Sequence, residues 1–516
     1  MKKIILTLSL CLSIGLVPLF SGCELLFGSD SVDDRPFIDV TTPEELQNGG
    51  SNISLQNDID FGGEVIEPIT VNKFNGNGHT ISNAIITTTT LRDAASFFAE
   101  VYDSVHDVTF ENITISAENT SFAAVVLALP SSRYGYGDDR EEIGQVRFDN
   151  VHVKGCTITL EQNNYDETKT YVGGILGSGT EIKLNAADYS SIGNWGLDSS
   201  IVNCSVEDTE ITVNGYKPDR EGTYVIGPDI YVGGICGSSD EITGCSVENN
   251  TISVASNQRY SEPYVGGIAG SLNEEGSVSN CFAYANYIDV VAGYYRYISL
   301  TNTYECCDVY LGGIFGTSGT DSSVSYCNAE ENLLSARSVG GYYIGGIGGS
   351  ISANVTQSRV VNNVFEGTGY LDGEDKSGDP WMRNIGGISA YSAAITFSST
   401  FSFGNQMKTT LSLDGVTTTD STGSAVGFAK TTPSAIFMYC ATGANIMTAG
   451  TTDEFATAAL ENIDLCYVTS DIYGNARNLP LISESDWYAE DQISSLLNLM
   501  GPCWEFTAGE LPQLVN

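Results

Sequence analysis

Polar and apolar residues alternate along most of this chain, in short runs that end at Gly, Asn, Ser or Thr. The stretches VHDVTFENITIS (residues 105–116) and GQVRFDNVHVKGCTITL (residues 144–160) show the period of two that is typical of strands. A helical period is nearly absent. The pattern therefore predicts an all-β protein made of many short strands joined by tight turns.

One short motif returns along the chain. An aromatic residue or Asn, an aliphatic residue, Gly-Gly and Ile follow one another at residues 171–175, 231–235, 264–268, 310–314, 343–347 and 384–388. Neighbouring copies begin 33 to 60 residues apart, and in the first five a further Gly stands two residues after the Ile. A constant motif with unequal spacers is typical of a repeated structural unit interrupted by loops of varying length.

Two further sets of residues keep a fixed distance from each other. One set, which we call the cysteine column, consists of Cys204, Cys245, Cys281 and Cys327. Ser358 takes the equivalent place in the next copy. Five residues after each member stands a polar residue, in the order Thr209, Asn250, Asn286, Asn332 and Asn363. We expect both sets to stack between units, with the cysteines as unpaired, buried thiols in the core. Each Asn is expected to adopt the left-handed turn conformation and to bond its amide to the next Asn.

A unit of one or two short strands cannot bury its own apolar face, so neighbouring units must stack. The predicted fold is an all-β, right-handed parallel β-helix solenoid with short helical caps at both ends, and its hand follows from the general crossover preference. Thr42 and Pro43 are suited to begin the first cap helix, and residues 487–500 show an amphipathic pattern for the second.

The repeated VGGI-x-G followed by NC resembles the GLUG-motif repeats of bacterial surface proteins and lipoproteins. FNGNGHTISN (residues 74–83) resembles the stretch that commonly precedes such repeats, and WEFTAGELPQL (residues 504–514) resembles their usual end. The resemblance covers residues 53–514 and implies a pectin-lyase-like right-handed β-helix exposed outside the cell, often an adhesin-like or binding scaffold. Long insertions, at residues 181–201 and 292–310, depart from the compact repeat.

The N-terminus has the features of a secretory signal. Lys2 and Lys3 precede an apolar run at residues 4–20, which ends on small residues before Cys23. Phe-Ser-Gly-Cys resembles the bacterial lipobox, which implies a lipid on Cys23 and anchoring to the cell envelope, at the outer membrane or cell surface. Ordinary secretion with an incidental cysteine is the alternative.

These observations predict five segments along the chain. They are a signal peptide at 1–22, a lipid-anchor tether at 23–36, an N-terminal cap with the first coils at 37–160, GLUG-type repeat coils at 161–440, and C-terminal coils with a cap at 441–516.

Charge narrows the choice of partners. The chain has 64 Asp+Glu against 22 Lys+Arg and a formal net charge of −42. Nucleic acid and anionic membrane surfaces are repelled by such a protein. The predicted partners are therefore the membrane, through the N-terminal lipid, and a glycan or a host or surface protein. No cofactor is expected, with calcium as the one candidate.

Catalytic motifs are missing from the sequence. His79, His106 and His152 do not lie in HExxH, and there is no GxSxG elbow or Walker loop. CxxC is also absent, which argues against a zinc site. Whether the protein is an enzyme is left undecided, with a non-enzymatic role favoured.

Carboxylates follow the third Gly of successive copies, and the candidates for an acidic column are Glu181, Asp240, Glu241, Glu274 and Asp321. If they stack, they form a calcium-binding edge or a paired-carboxylate glycosidase site. The alternative is a solvated turn that discourages lateral aggregation.

Tyrosines cluster in the insertions, at Tyr134, Tyr136, Tyr294, Tyr295 and Tyr297. Such rings stack on sugars or anchor a protein partner, or else they cover the flank of the solenoid. The leading hypothesis is a lipid-anchored extracytoplasmic β-helix that acts as an adhesin-like or ligand-binding scaffold without catalysis. The alternative is a polysaccharide lyase or glycoside hydrolase that uses stacked carboxylates.

Overall fold

The computed structural model describes residues 35–87, 94–130, 146–162, 169–179, 199–215, 227–257, 261–293, 295–298, 303–371, 382–392, 395–413, 416–420, 423–431, 435–438, 440–443, 445–453, 463–464, 467–468, 504–505 and 513–514. Within these ranges one helix is found, Pro43–Gln47, and the Thr42 side chain accepts a hydrogen bond from the backbone N–H of Glu45 at its start. This helix is the predicted N-terminal cap. Residues 487–500, predicted as the second cap, lie outside the described residues. No helix in the described part is long and apolar enough to cross a membrane.

Nearly all described elements are strands, and they form three sheets that run the length of the molecule. Sheet A has 27 strands: Ile38–Val40, Asn52–Leu55, Ile59–Asp60, Ile69–Ser82, Phe98–Glu111, Val146–Lys154, Leu176–Ser178, Ser199–Val202, Ser205–Glu207, Cys236–Thr243, Ser246–Glu248, Ala269–Ser279, Phe282–Tyr284, Phe315–Ser318, Ser323–Ser325, Asn328–Glu330, Gly348–Ile351, Asn354–Thr356, Arg359–Val361, Ser389–Ser392, Thr396–Ser398, Phe401–Phe403, Ala429–Thr431, Ile436–Met438, Ala441–Gly443, Ile463–Asp464 and Tyr467–Val468. Sheet B has 11 strands: Ile85–Thr87, Thr114–Glu118, Thr157–Gln162, Glu210–Gly215, Thr251–Ser256, Tyr287–Ala292, Leu333–Ser338, Val364–Leu371, Gln406–Leu413, Val416–Thr419 and Ile446–Thr448. Sheet C has 10 strands: Ala94–Ala95, Phe122–Ala124, Thr170–Gly173, Ile230–Gly233, Pro263–Gly266, Val309–Gly312, Tyr342–Gly345, Arg383–Gly386, Ser424–Val426 and Thr451–Asp453. Two separate antiparallel pairs join Tyr295–Ile298 to Thr303–Cys306 and Trp504–Glu505 to Gln513–Leu514.

One turn of the chain visits the three sheets in a fixed order. After Ile230–Gly233 in sheet C, the chain passes through Cys236–Thr243 and Ser246–Glu248 in sheet A and Thr251–Ser256 in sheet B. It then returns to sheet C at Pro263–Gly266, directly beside the strand it left, and the two strands are parallel. Apart from three antiparallel pairs, including Gln406–Leu413 with Val416–Thr419, the strand pairs are parallel. The predicted all-β parallel β-helix is confirmed.

Like residues lie over like because successive coils keep register. Ile252 pairs with Ile288, and Tyr231 pairs with Tyr264. The isoleucines of the repeated motif form a core column that is 0% exposed, at Ile175, Ile235, Ile268, Ile314, Ile347 and Ile388. The column cysteines Cys204, Cys245, Cys281 and Cys327 are also buried, and they are unpaired. The core is therefore one continuous apolar shaft along the axis of the solenoid.

The asparagine column lies at the turn from sheet A into sheet B. The side-chain oxygen of Asn332 accepts from both the backbone N–H and the Nδ2 of Asn286, at 3.0 and 2.9 Å. The same Nδ2 also donates to the carbonyl of Val247, at 3.1 Å. In the coils below, Cys156 donates its backbone N–H to Oγ1 of Thr209, and Thr209 donates its own to Asn250. The arrangement continues beyond Asn363 through two residues outside the predicted set, Asn405 and Asn445.

The turn conformation differs from the prediction by one residue. The left-handed backbone belongs to the residue before each ladder asparagine, namely Asn249 at φ 55°, Ala285 at φ 52° and Glu331 at φ 55°. This residue reverses the chain so that the following side chain points into the protein. The ladder residues Asn286 and Asn332 are accordingly only 2% and 1% exposed.

Candidate functional site

The outward face of sheet C carries a stack of aromatic rings. In each strand the aliphatic residue of the motif faces the core and the preceding tyrosine faces outward, as in Val232 and Tyr231. The tyrosine ladder, as we call it, consists of Tyr171, Tyr231, Tyr264, Tyr310 and Tyr343. Its ring centroids are 4.8 to 4.9 Å apart, with interplanar angles of 3 to 14°. This spacing is the separation of neighbouring strands, so the register of the coils creates the stack directly.

A row of charged residues runs beside the tyrosine ladder. Two positions before three of its tyrosines stand Asp229, Glu262 and Asp308, and Lys169 takes the same place before Tyr171. Because side chains at i and i+2 of a strand share a face, these residues lie on the outward side together with the rings. The strand register places them in one line. We call Asp229, Glu262 and Asp308 the acid file.

The members of the acid file are half-buried, and this changes their titration. Burial raises the pKa of Asp229 and of Asp308 above the ordinary value for an aspartate. Burial also raises the pKa of Glu262, and repulsion from Asp229 and Asp308 adds to the increase. A carboxyl group in such surroundings keeps its proton at a higher pH than an exposed one, because the charged form is poorly solvated and faces like charges.

Hydrogen bonds connect the acid file to the tyrosine ladder. Tyr264 donates its hydroxyl to Oε2 of Glu262 at 2.6 Å. At the lower end, Nζ of Lys169 donates to the hydroxyl oxygen of Tyr231 at 3.1 Å. Burial raises the pKa of Tyr231 and Tyr264, so both phenols remain neutral donors. The face therefore offers alternating hydroxyl and carboxyl groups.

Ring burial limits how a ligand can use this face. Tyr171 and Tyr231 are 8% exposed and Tyr343 is 5% exposed. Within the ladder the ring faces already contact one another. A ligand on this side therefore contacts ring edges, hydroxyls and carboxyls rather than open ring faces.

The strands of sheet C begin at this corner of the solenoid, and in each coil the chain reaches them from sheet B. Several of the connecting segments, at residues 163–168, 216–226, 258–260 and 372–381, lie outside the described residues. Another connection contains the antiparallel pair that places Tyr295 opposite Cys306 and Tyr297 opposite Tyr304. Asp308 of the acid file follows two residues later. Tyr295 and Tyr297 thus belong to a hairpin that leaves the coil beside the acid file.

The predicted acidic column does not form as one stack in the described coils. Glu241 is paired with Ser200 of the previous coil and Ser277 of the next. Asp240 accepts a hydrogen bond from Nδ2 of Asn273 at 2.5 Å. The reason is an irregularity in register between Ser239 and Glu241, opposite which the next strand has extra residues.

The upper members of that predicted column, Glu274 and Asp321, are exposed. Glu274 lies in the extra length of the strand, and the backbone of Asp321 has φ 58°. In the described part of the chain no group of three or more His, Cys, Asp or Glu is arranged to hold a metal ion.

Several predicted residues lie outside the described part of the chain. They are Cys23, Tyr134, Tyr136, Glu181 and Tyr294. Lipid attachment at Cys23 and the domain boundaries stay predictions.

The acid file is the part of the site that the sequence analysis missed. The signal was present, because an acidic residue stands two positions before the tyrosine in DIY, EPY and DVY. In a strand the tyrosine and the residue two positions before it share one face, and applying this rule to the outward face predicts the acid file.

Comparison with known proteins gives little further information. No family model and no curated protein matches the chain. A similar solved structure is the A-module of mannuronan C-5 epimerase AlgE6 from Azotobacter vinelandii. The match has 11% identity and a TM-score of 0.31, and it covers 82% of this chain and 92% of that chain. Activity is not inferred from a similarity of this size.

Proposed function

We propose that this protein is a lipid-anchored extracytoplasmic β-helix that binds an extended ligand, a glycan or a surface protein, along the corner between sheets B and C. Its coils are GLUG-type repeats in this proposal, and Cys23 holds the lipid at the cell envelope. The observation that carries the proposal is the coincidence at one corner of the acid file, the tyrosine ladder and the antiparallel pair of Tyr295–Ile298 and Thr303–Cys306. Function is commonly located on loops that a rigid scaffold displays.

The chemistry of the corner suits a neutral polyhydroxyl or a basic surface. Carboxyl groups and phenols together accept and donate hydrogen bonds, as sugar hydroxyls require. The overall charge of −42 favours basic partners over acidic ones. The repeated spacing of the site along the axis favours a ligand that is itself extended.

A binding array tests this proposal. Purified full-length protein, kept in detergent because of its predicted lipid, is applied to glycans and surface proteins. We expect saturable binding that weakens at least tenfold in Glu262→Gln, which removes the central carboxylate. The matched control is Glu366→Gln, an exposed change on the outward face of sheet B, which should leave binding unchanged. Uniformly blank arrays, or equal loss in both variants, would contradict the proposal.

Glycoside hydrolysis is the second candidate, and the acid file is the observation that favours it. Carboxylates on adjacent coils are separated by about 4.8 Å of strand spacing. Retaining glycosidases place their two carboxyl groups about 5 to 5.5 Å apart. Glu262 also has the raised pKa that a general acid needs.

Release of reducing ends from a panel of neutral polysaccharides distinguishes hydrolysis from binding alone. If Glu262 is the acid, Glu262→Gln lowers the rate by about 10² or more. Absence of release by the unmodified protein on every polysaccharide would rule out this candidate and leave the binding role standing.

A further inference from the structure

The tyrosine ladder stops at one defined coil. Above Tyr343 the paired residue of the next strand is Asn384, and above Asn384 it is Ser424. Both side chains are much shorter than a tyrosine, so two coils lack the outward ring that the coils below them have. Tyr391 packs edge-on against Tyr343, with centroids 6.2 Å apart and an interplanar angle of 72°. Tyr391 is itself 41% exposed, so this position is open to solvent on the side of Tyr391.

The short side chains at the break are buried, and each has one polar atom without a hydrogen-bond partner in the described structure. Asn384 and Ser424 are 2% and 6% exposed. Neither Nδ2 of Asn384 nor Oγ of Ser424 has a hydrogen-bond partner within the described structure. Leaving a buried donor unpaired is destabilising, so such groups in native proteins usually have a ligand or water as partner.

A cation lies at the same place. Nζ of Lys430 donates to the amide oxygen of Asn384 at 2.5 Å, which also brings it close to the unpaired amide nitrogen. In the described part of the chain no carboxylate lies within ion-pair distance of Lys430. Burial lowers the pKa of Lys430, as expected for an ammonium group that has lost water without gaining a counter-charge.

We propose that the break in the tyrosine ladder is a subsite for a carboxylate-bearing sugar unit, held by Lys430, Asn384 and Ser424, with the exposed ring of Tyr391 beside it. The ammonium group pairs with the carboxylate, the amide Nδ2 and the Ser424 hydroxyl donate to oxygen atoms, and the ring packs on the sugar. The unpaired Nδ2 of Asn384 is a donor and the Ser424 hydroxyl can donate as well, which fits an acceptor-rich group. The site does not extend to the acid file, since carboxylates there would repel such a ligand.

This inference rests on the proposed function only in treating the outer side of sheet C as a ligand surface. The subsite lies three coils above Glu262, at the opposite end of the tyrosine ladder from Lys169. A single acidic unit is therefore expected at this end of a ligand that is otherwise neutral. An acidic peptide offers the same carboxylate but no sugar ring for Tyr391.

Calorimetry with small probes tests the subsite. The probes are D-glucuronate, D-glucose and acetate, titrated into the purified full-length protein. We expect glucuronate to bind at least tenfold more tightly than either glucose or acetate. Lys430→Met should remove this preference, while the control Lys408→Met, an exposed lysine on sheet B, should keep it.

A second variant guards against a folding defect. Asn384→Asp supplies an internal carboxylate to Lys430, so it should abolish glucuronate binding while far-ultraviolet circular dichroism stays native. Absence of saturable glucuronate binding, equal affinity for glucose, equal affinity for acetate, or unchanged binding in both variants would overturn the proposal. If glucuronate fails while Glu262-dependent binding on the array persists, the subsite alone is wrong.

Discussion

At the residue scale, each asparagine side chain of the column forms several hydrogen bonds to the neighbouring coils. The Asn286 side-chain oxygen accepts from the backbone N–H and the Nδ2 of Asn250, at 3.0 and 3.1 Å. Its own Nδ2 donates to Asn332 and to the carbonyl of Val247. These groups lie at a buried turn, where strand pairing does not satisfy them. The asparagine column therefore holds successive coils together by polar contacts inside the protein.

Removing one asparagine of the column should destabilise the folded protein. Asn286→Ala leaves the buried backbone N–H of Asn250 without its acceptor, while Nδ2 of Asn250 keeps its bond to the carbonyl of Val206. We expect the free energy of unfolding to fall by about 1 to 3 kcal/mol, the cost of one unpaired buried donor. Urea unfolding followed by circular dichroism measures this. Ser253→Ala, on the outward face of sheet B, is the matched control and should change stability by less than about 0.5 kcal/mol. Equal effects of the two substitutions would contradict the role given to the ladder.

Two of the column cysteines, Cys204 and Cys281, should be chemically inert in the folded protein. Burial raises the pKa of the Cys204 and Cys281 thiols, which suppresses the reactive thiolate. Burial raises the pKa of Cys306 as well, but among the described cysteines it is the one that is only half-buried, so it should be alkylated before Cys204 and Cys281. Mass spectrometry after iodoacetamide treatment, with and without urea, checks this expectation. Rapid labelling of Cys204 or Cys281 without urea would show that the core is open.

At the element scale, large and small residues replace each other between coils. On the inner face of sheet C, Val309 is followed by Tyr342 in the next coil. On the inner face of sheet B, Ala336 is followed by Gly367 at the same level. The larger residue on sheet C, Tyr342, thus contacts the smaller residue on sheet B, Gly367. A β-carbon added at Gly367 would lie 2.2 Å from Cε2 of Tyr342.

This compensation predicts a coupled pair of substitutions. Gly367→Ala should lower the free energy of unfolding by about 1 to 3 kcal/mol through overpacking. Tyr342→Val restores the residue found one coil below, so the double variant should be less destabilised than the sum of the singles by about 1 kcal/mol or more. If the losses in free energy of unfolding measured in urea are additive, Tyr342 of sheet C and Gly367 of sheet B do not contact as described.

The sequence predicts elements better than it predicts the site, for physical reasons. The Gly-Gly-Ile motif and the Cys and Asn sets repeat because the equivalent position of every coil has the same neighbours above and below. Their register could therefore be predicted from spacing alone. Glu241 and Glu274 also recur after a glycine, but an irregularity beside Ser239 displaces them, and spacing does not reveal such a shift. The acid file depends on which face each side chain takes. The break at Asn384 depends on contacts with Lys430, which is 46 residues away in sequence.

At the scale of the whole molecule, acidic residues outnumber basic residues by 64 to 22. The net charge of −42 makes the surface strongly acidic. At the corner between sheets B and C, three half-buried carboxyl groups lie in one line, where water cannot fully solvate them. This corner should respond to pH differently from the exposed acidic residues.

Stability should therefore decrease as pH rises above the mildly acidic range. The pKa of Glu262 is raised in the folded protein above its ordinary value of 4.5, so the folded state binds more protons than the unfolded state between those two values. By linkage, the stabilisation is complete below pH 4.5 and is lost as pH rises through the folded-state value. Thermal unfolding from pH 4.5 to 8 should show a smaller decline for Glu262→Gln than for the unmodified protein. Parallel curves would contradict the burial of Glu262.

The most direct test of the central claim, that equivalent residues of successive coils lie in register, is a crystal structure of the full-length protein at a resolution that defines side-chain amides. The account predicts Asn250, Asn286 and Asn332 in a single file, with Nδ2 of Asn286 2.9 Å from Oδ1 of Asn332. It also predicts Asp229, Glu262 and Asp308 in a second file beside the stacked tyrosines. Amides that point to solvent, or carboxylates on different faces, would contradict both the architecture and the site built on it.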